Sequence, residues 1–292
     1  MIKNILITGA EGQLGSEIQA LVMNQKALRL LAGGQYHFTD QSTLDITDVE
    51  AVYAYMQQYK IDYCINCAAY TAVDKAEEQE ELAQLVNVEG PRNLAKAAAA
   101  LGAKLVHIST DYVYAGTASG PIRETAVTDP QGVYGCTKLA GEQAVLAELP
   151  DALIIRTAWV YSSFGQNFVK TMLRLGQERP SLSVVADQIG SPTFAGDLAE
   201  AILRILGQEE APSGLYHYSN EGVASWYDFA QAIFELAQID CALQPIDTKD
   251  YPTPAKRPAF SLLHKGKIKG NFGLQIPHWR ESLARMLKTL RY

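Results

Sequence analysis

The sequence has 292 residues, with 25 Lys or Arg against 32 Asp or Glu, so its formal net charge is −7 at pH 7. Hydrophobic residues make up 48% and charged residues 20%, which excludes a disordered or fibrous chain and allows one large domain or two smaller ones. Four cysteines are too few for a disulfide scaffold. We see neither a signal peptide nor a run of the ~20 apolar residues that span a bilayer. We therefore expect a soluble, cytoplasmic, globular protein.

The first part of the chain alternates strand and helix patterns. Short apolar or β-branched runs predict strands, and these lie at 2–8, 36–39, 61–67, 104–109 and 153–161. Helical spacing of apolar residues predicts helices at 14–23, 49–59, 75–85, 88–101 and 138–149. This alternation predicts an α/β fold, a doubly wound parallel sheet of Rossmann type, over residues 1–161.

The alternation loosens after residue 161. Further helices are predicted at 167–176, 196–206 and 226–237, and further strands at 182–185 and 214–218. We expect residues 162–292 to form mainly a smaller mixed C-terminal substrate-binding cap, with segments that return to the sheet domain. Residues 255–292 carry nine basic side chains and one acid, Glu281. This basic end could meet nucleic acid, a small anion or only water, and we interpret most of it as solvated surface.

Three glycines follow the first predicted strand and open the first helix. Gly9, Gly12 and Gly15 lie at intervals of three. Glycine is needed where a chain turns sharply, where its backbone approaches a diphosphate and where a helix packs on a strand. The N–H groups at the helix start then favour phosphates. The turn therefore indicates a dinucleotide site, and a tight turn without a ligand is the weaker interpretation.

The choice between NADH and NADPH stays open at this stage. An acid near the end of the second strand accepts hydrogen bonds from the adenosine ribose and repels a 2′-phosphate. Asp40 lies where such an acid falls, which favours NAD. Asp45 comes later and could meet the adenine edge. No arginine follows the strand immediately to hold a 2′-phosphate.

Tyr134 and Lys138 are four residues apart, which on a helix places them on one face. Reduction of a carbonyl leaves an alkoxide that needs a proton, and a phenol can supply it. Because an unperturbed phenol has a pKa near ~10, we expect the ammonium of Lys138 to lower the pKa of Tyr134 toward neutrality. Thr110, at the end of a predicted strand, can hold the same carbonyl oxygen. The alternative is an ordinary amphipathic helix with an exposed lysine.

Several motifs together resemble the extended short-chain dehydrogenase/reductases that act on nucleotide sugars, and within them the dTDP-4-dehydrorhamnose reductase family. The motifs are Thr8-Gly9-x-x-Gly12-x-x-Gly15, Asn66-Cys67-Ala68-Ala69, Asn87-Val88-x-Gly90, Ser109-Thr110-Asp111-Tyr112 and Tyr134-x-x-x-Lys138. Closer matches are Thr71-Ala72-Val73-Asp74-Lys75, Arg156-Thr157-Ala158-Trp159, Asp187-Gln188-x-Gly190-x-Pro192-Thr193 and Tyr251-Pro252-Thr253-Pro254-Ala255-x-Arg257-Pro258. The likeness spans most of the chain.

The resemblance implies a role for each matching residue. Tyr134 is the proton donor, Lys138 its partner and a cofactor ligand, and Thr110, Asp111 and Trp159 touch the sugar. Arg257 is the basic group we expect near the substrate diphosphate, with a salt-bridging surface arginine as the alternative. The implied cofactor contacts, besides the three glycines, Tyr134 and Lys138, are Gln13, Leu14, Asp40, Asp45, Ile46, Ala69, Tyr70 and Thr71.

The resemblance implies hydride transfer from NADPH, with NADH possible, to the C4 carbonyl of dTDP-4-dehydro-L-rhamnose, giving dTDP-L-rhamnose. Related dehydratases carry an acid after the Thr-Asp pair, whereas Tyr112 stands here, which disfavours dehydration. The alternatives are a nucleotide-sugar epimerase of the same superfamily and a non-catalytic binding subunit on the same fold. We expect a nucleotide-sugar substrate, no nucleic-acid or membrane partner, and a monomer or weak homodimer.

We expect no metal site. Some family members hold magnesium at a dimer contact, where Glu17 keeps one acidic position but Gly196 stands at the other, with Asp197 adjacent. Cys64 and Cys67 have C-x-x-C spacing, but no second pair or histidine cluster completes a zinc site. His107 is interpreted as a packed histidine within a strand.

Overall fold

The computed structural model describes residues 3–24, 34–208 and 213–290. Their strands are β1 (Asn4–Thr8), β2 (Gln35–Thr39), β3 (Tyr63–Asn66), β4 (Lys104–Thr110), β5 (Leu153–Thr157), β6 (Val160–Tyr161), β7 (Ser181–Val185), β8 (Ile189–Gly190), β9 (Thr193–Phe194), β10 (Gly214–His217), β11 (Ala224–Ser225) and β12 (Ala242–Ile246). Their α-helices are α1 (Gln13–Met23), α2 (Val49–Gln58), α3 (Val73–Ala76), α4 (Glu80–Gln84), α5 (Gly90–Leu101), α6 (Val133–Glu148), α7 (Phe168–Glu178), α8 (Ala195–Leu206), α9 (Trp226–Ala237), α10 (Gly266–Phe272) and α11 (Trp279–Thr289).

Six strands form one parallel sheet in the order β2-β1-β3-β4-β5-β10. The chain turns outward in one direction from β1 to β2 and in the other from β3 through β4 to β5. The order therefore reverses between β1 and β3, and such a reversal opens a crevice at the carboxyl ends of the strands. The predicted doubly wound Rossmann-type sheet is confirmed.

Both faces of the sheet are covered, as the apolar strand patterns require. Alternating side chains of β1 enter different cores, because successive residues of a strand point to opposite faces. Ile5 and Ile7 pack with α1, α8 and α10, whereas Leu6 packs with α2, α5 and α6. The two cores hold the strand ends, and hence the crevice, in fixed positions.

The prediction of one continuous helix at 75–85 is wrong. Residues 73–76 and 80–84 form two short helices, and a π-helical turn at Leu85–Glu89 then leads into α5. A π turn inserts one extra residue into the helical repeat and often occurs at functional sites. Here it turns Asn87 inward, where its side chain is fully buried.

The predicted strand at 153–161 is interrupted, and the predicted helix at 138–149 begins earlier. β5 ends at Thr157, and Trp159 adopts a positive φ of 49° before β6 pairs with β9 instead of continuing the large sheet. α6 begins at Val133 after Gly132, so Tyr134 lies in its first turn. Both differences place side chains at the carboxyl edge of the sheet.

The later part of the chain has a core of its own and also contributes to the sheet. Helices α7, α9 and α11 pack together around Phe229 and Leu283. By contrast, α8, β10 and α10 belong to the core of the large sheet. The division into residues 1–161 and a mainly cap-forming 162–292 stays a prediction. The segments α8, β10 and α10 agree with its expectation that parts of 162–292 return to the sheet. None of the helices within the described ranges is long and apolar enough to cross a membrane.

Candidate active site

The reactive helix α6 packs closely on the end of β4. A Cβ atom on Gly135 would overlap the carbonyl oxygen of Tyr112, so glycine allows the first turn to approach the segment that follows Thr110. Tyr134 and Lys138 lie one turn apart on this helix, as predicted. The close approach brings the Tyr134 phenol to the carboxyl end of β4.

Thr110 and Asp111 meet the Tyr134 phenol at that edge. The Thr110 side chain lies close to the Tyr134 hydroxyl group and acts to lower the pKa of that phenol. Thr110 also donates to an Asp111 carboxylate oxygen at 3.1 Å. The second carboxylate oxygen of Asp111 is buried and has no hydrogen-bond partner among the described residues. Burial raises the pKa of Asp111 to about 6.

The Lys138 side chain is only 2% exposed. Its ammonium group donates to the carbonyl oxygen of Ile108 in β4 at 2.8 Å. Burial lowers the pKa of Lys138 to about 8, although the charge of Glu142 raises it. Lys138 is therefore buried against the edge of the sheet, and the alternative of an exposed lysine on an amphipathic helix does not apply.

The expected lowering of the Tyr134 pKa toward neutrality is wrong for this arrangement. Burial raises the pKa of Tyr134 to about 12, and the nearby Thr110 side chain only partly offsets that effect. The ammonium of Lys138 is directed to the carbonyl oxygen of Ile108 rather than to the phenol. At neutral pH Tyr134 is consequently a protonated phenol, the form that donates a proton.

A pair of stacked indoles forms another wall of the site. Trp159 and Trp226 lie with ring centroids 3.7 Å apart and planes 9° from parallel. Gly190 of β8 packs against Trp159, because a Cβ at this position would lie 2.8 Å from the ring and 2.9 Å from the Ser261 hydroxyl. Ser261 in turn lies near the Asp111 side chain and acts to lower the pKa of that carboxyl group. Sequence reasoning identified Trp159 but assigned no role to Trp226, Gly190 or Ser261.

Arg257 reaches the mouth of the site from the late part of the chain. Its guanidinium group bonds the Asp74 carboxylate at 2.6 Å, and both side chains remain partly exposed. The backbone N–H of Ala255 donates to the other oxygen of Asp74 at 3.2 Å. The guanidinium also acts electrostatically on Tyr112, beside Tyr134. Arg257 thus lies near the reactive phenol while paired with an acid, so both interpretations of this residue have a basis.

The glycine turn has the shape that a diphosphate requires. Gly9 has φ +64°, and a Cβ there would lie 2.7 Å from the Ala68 backbone. A Cβ on Gly15 would lie 2.5 Å from the Gly9 carbonyl oxygen. Gly12 caps α1 without any side-chain hydrogen bond, which leaves the helix start open to an anion. The residues present therefore fit a dinucleotide, since side chains are excluded from its cradle.

The remaining predicted cofactor residues near this turn differ in what they offer. Asp40 follows β2 as predicted, but one carboxylate oxygen already accepts hydrogen bonds from Ser42 and Thr43 at 2.7–3.0 Å. These bonds lower the pKa of Asp40 to about 2. Asp45 is similarly bonded by Thr47 at 2.8 and 2.9 Å. Both acids stabilise their own loops, so the argument from Asp40 toward NAD is weakened.

Two predicted cofactor residues have buried side chains, and a third spans the crevice. Leu14 and Ile46 pack into the two sheet cores, so only their main chains can reach a ligand. Gln13 accepts a hydrogen bond from Asn167 at 3.0 Å. Gln13 therefore connects the start of α1 to the segment that precedes α7.

The loop after β3 is held by a residue whose role sequence reasoning missed. Ala69, Tyr70 and Thr71 follow β3 at the carboxyl edge, as predicted. Asn87 accepts from the Tyr70 N–H at 2.9 Å and donates to the Tyr70 carbonyl at 3.1 Å and to Thr137 at 3.1 Å. One amide thus fixes the loop against the reactive helix. Only its place in the Asn87-Val88-x-Gly90 motif pointed to it.

The acids considered for magnesium are engaged within the protein. Glu17 accepts from Ser162 at 2.6 Å, and burial raises the pKa of Glu17. Asp197 is bonded by Arg285 at 2.5 Å and by Asn220 at 2.7 Å. No cluster of three or more metal-binding side chains occurs in residues 3–24, 34–208 and 213–290. His107 is fully buried in β4 and bonds Asn66 at 3.1 Å.

A phenol, a hydroxyl and an ammonium converge at the carboxyl edge of the sheet, beside a turn shaped for a diphosphate. This arrangement on a doubly wound sheet defines a short-chain dehydrogenase/reductase of the extended type. The family model described as RmlD substrate binding domain matches residues 3–292. The chain belongs to this family.

Curated relatives and solved structures agree with this assignment. The chain is 43% identical over 289 residues to a dTDP-4-dehydrorhamnose reductase of Aggregatibacter actinomycetemcomitans, with 96% of each chain covered. A dTDP-4-dehydrorhamnose reductase structure from Clostridium acetobutylicum matches at 46% identity and a TM-score of 0.93, covering 99% of this chain and 100% of that one. The Bacillus anthracis reductase, solved in complex with NADP, matches at 40% identity, a TM-score of 0.93 and the same coverage.

Proposed function

We propose that this protein is a dTDP-4-dehydrorhamnose reductase that uses NADPH to reduce the C4 carbonyl of dTDP-4-dehydro-L-rhamnose. The observation that carries the proposal is the Tyr134 phenol in the first turn of α6, close to Thr110 at the carboxyl end of β4 and one helical turn from Lys138. The likeness to named reductases over nearly the whole chain supports the choice of substrate. The NADP complex of the Bacillus anthracis relative supports the choice of cofactor.

The chain's own residues supply binding, orientation and a proton. Bound NADPH supplies a hydride. Thr110 holds the substrate carbonyl oxygen next to the Tyr134 hydroxyl, and Tyr134 transfers its proton to that oxygen as negative charge develops there. A phenol of raised pKa keeps its proton until the oxygen beside it becomes strongly basic. The nearby Lys138 charge then stabilises the phenolate that remains.

We assign a part of the cofactor or of the substrate to each of these residues. The amide groups at the start of α1 would hold the cofactor phosphates, and Lys138 the nicotinamide ribose. Asp111, Trp159 and Ser261 would line the sugar pocket, with Trp226 and Gly190 supporting Trp159. Arg257 would approach the diphosphate of the nucleotide sugar.

The direct test follows NADPH absorbance while upstream enzymes generate dTDP-4-dehydro-L-rhamnose in the same tube. We expect NADPH oxidation only when that sugar is present, with dTDP-L-rhamnose as the product. An epimerase would arrive with cofactor bound and consume no reductant. A binding subunit would leave both sugar and NADPH unchanged, and either result contradicts the proposal.

Tyr134→Phe tests the proton donor. Removal of the hydroxyl leaves the ring and the fold but no acid next to the carbonyl, so kcat should fall by about 10³-fold, within the range of lost acid catalysis. NADPH affinity should stay close to that of the unchanged protein. Tyr53→Phe, on the exposed side of α2, is the matched control and should leave kcat unchanged. A Tyr134→Phe enzyme with near-normal kcat contradicts the assigned role.

We further propose that the reaction takes place in the cytoplasm and that the protein is a monomer or weak homodimer. All four cysteines are free thiols, as expected in a reducing compartment. Size-exclusion chromatography with light scattering over a range of concentrations measures the oligomeric state. A stable tetramer would contradict the proposal of a monomer or weak homodimer.

A further inference from the structure

A buried carboxylate lies one helical turn beyond Lys138. Glu142 is on the same face of α6 as Tyr134 and Lys138, because the three residues are spaced by four. Arg156 of β5 bonds both of its oxygens, at 2.8 Å and 2.5 Å. Ser109 of β4 donates to one of them. The carboxylate is therefore fixed where the helix crosses β4 and β5.

The chain of hydrogen bonds continues from Arg156 across the sheet. The Arg156 guanidinium donates to the Tyr114 oxygen at 2.6 Å, and Tyr114 lies 2.7 Å from Nε2 of His217. Since an arginine can only donate, the Tyr114 proton points to His217, whose Nδ1–H then donates to the Ile122 carbonyl at 3.1 Å. Burial, followed by the charge of Arg156, lowers the pKa of His217 to about 3, so this histidine stays neutral.

The far end of this chain reaches the wall of the sugar pocket. Ile122 donates to the Leu262 carbonyl at 2.8 Å and accepts from the His264 N–H at 2.7 Å. Both residues belong to the segment that carries Ser261, which lies near Asp111. The network thus connects the reactive helix to the segment that lines the pocket.

None of these buried groups touches the site where the proton is transferred, and a buried ion pair is by itself weak evidence for a stabilising role. Their position next to Lys138 indicates that they act on the charge of that lysine. Among the described ionisable groups, Glu142 on the same helix and His107 on β4 interact with the Lys138 charge, and Arg156 of β5 places the opposite charge directly against Glu142. Asp111, in the segment after β4, acts on Tyr134 instead. Glu142 alone among these favours the charged form of the lysine.

We propose that Glu142 is a positioning residue, which from the next turn of the same helix face keeps the Lys138 ammonium charged, and that Arg156, Tyr114 and His217 hold Glu142 in place. The proposal rests on the proposed reductase function. Tyr134, Lys138 and Glu142 then form a phenol, an ammonium and a carboxylate in line along one helix face, of which only the last is remote from substrate.

Glu142→Gln tests the charge, because the amide keeps the shape and one acceptor oxygen. Loss of the carboxylate should let Lys138 deprotonate at lower pH. The pH at which kcat falls on the alkaline side (the alkaline limb of the profile) should therefore decrease by about 1 unit. Glu142→Asp, which restores the charge, should return this pH most of the way to its original value. Glu178→Gln removes an exposed i,i+4 partner of Arg174 on another helix and should change nothing. An equal loss of kcat at every pH, with no movement of the limb, would overturn the proposal.

Tyr114→Phe keeps the proposal testable if Glu142→Gln does not fold. This variant removes the hydroxyl shared by Arg156 and His217 but leaves the ion pair with Glu142. A smaller shift of the same limb in the same direction supports the bracing role, and an unshifted limb in a folded Tyr114→Phe protein refutes it. NADPH binding, followed by fluorescence as a function of pH, should show the same limb. If the unchanged protein binds NADPH but does not reduce the sugar, the reductase proposal fails, while this binding limb still tests Glu142.

Discussion

The buried carboxyl group of Asp111 lowers the stability of the folded protein at neutral pH. The carboxyl group is 2% exposed and has one oxygen without a partner, so its charged form is costly in the folded protein. Burial raises its pKa from 3.8 to about 6. A folded-state pKa above the unfolded one means that the stabilising contribution is complete below pH ~4 and is lost as the pH rises through 6. At neutral pH the residue is therefore a local source of instability that a substrate hydroxyl could relieve.

Asp111→Asn should consequently stabilise the folded protein, and more so at high pH. Urea unfolding should give a free energy of unfolding above that of the unchanged protein at pH 8, by an amount that exceeds the difference at pH 5 by about 1 kcal/mol. Activity should fall at the same time. The exposed Asp240→Asn serves as the control and should show no such pH dependence. Equal differences at the two pH values would show that the buried charge is not costly.

At the scale of elements, the short strand β8 shapes the sugar pocket because it leaves no room for a side chain. Gly190 lies between the Trp159 ring and the Ser261 hydroxyl, within 3 Å of where a Cβ would be. Trp159 itself is held with a positive φ and is stacked on Trp226 from the start of α9. Two separate segments, β8 and the start of α9, therefore hold this indole, and a displacement of β8 would be transmitted to it.

Gly190→Ala should push the Trp159 ring out of place, since overpacking of this kind costs about 1–3 kcal/mol. We expect the KM for the nucleotide sugar to rise about tenfold, with an unchanged dissociation constant for NADPH, whose proposed site is the glycine turn before α1. Gly270→Ala, in α10 with open space around the glycine, is the control and should have no effect. A rise in the NADPH dissociation constant without a change in KM for the sugar would contradict this arrangement.

The elements also show where sequence reasoning succeeds. The parallel sheet is predictable because β1, β3, β4 and β5 are short apolar runs that only a doubly covered sheet accommodates. The glycine turn is predictable because the requirement for glycine is local. The start of α6 is not, since Tyr134, Gly135 and Cys136 carry little helical signal and Gly135 packs on Tyr112, in the turn that follows β4.

Burial and pairing depend on the whole fold and are therefore invisible in a local pattern. Lys138 looks like a surface residue by composition, yet the sheet encloses it. The stacking of Trp226 on Trp159 joins segments 67 residues apart. The π turn that follows the predicted 75–85 helix is likewise invisible in the pattern, because it turns Asn87 inward to hold the Tyr70 loop.

At the scale of the whole molecule, the ion pair between Asp74 and Arg257 connects the two sides of the crevice. Asp74 lies in α3, just after β3, whereas Arg257 comes from the segment before α10. Because both side chains are partly exposed, the pair contributes little to stability, ~1 kcal/mol or less. Its position at the mouth suggests instead that the acid and the substrate diphosphate compete for one guanidinium group.

Substitution of each partner should then have opposite effects. Arg257→Met should raise the KM for the nucleotide sugar about tenfold or more, as expected for a lost hydrogen bond to a charged group. Asp74→Asn should leave that KM unchanged or lower it, because the guanidinium is released. Steady-state kinetics at a fixed, saturating NADPH concentration distinguish the two. Similar increases of KM in both variants would identify the pair as a structural contact only.

The last strand of the large sheet has a consequence for synthesis of the chain. β10 pairs with β5, although about sixty residues separate them, and α8 and α10 cover the same face. A nascent chain that has emerged only as far as residue 161 therefore exposes an unpaired β5 edge and an uncovered apolar surface, both of which favour aggregation. On the ribosome, residues 1–161 therefore stay vulnerable until β10 (Gly214–His217) and α10 (Gly266–Phe272) have been translated, and a chaperone that shields sheet edges would act in that interval.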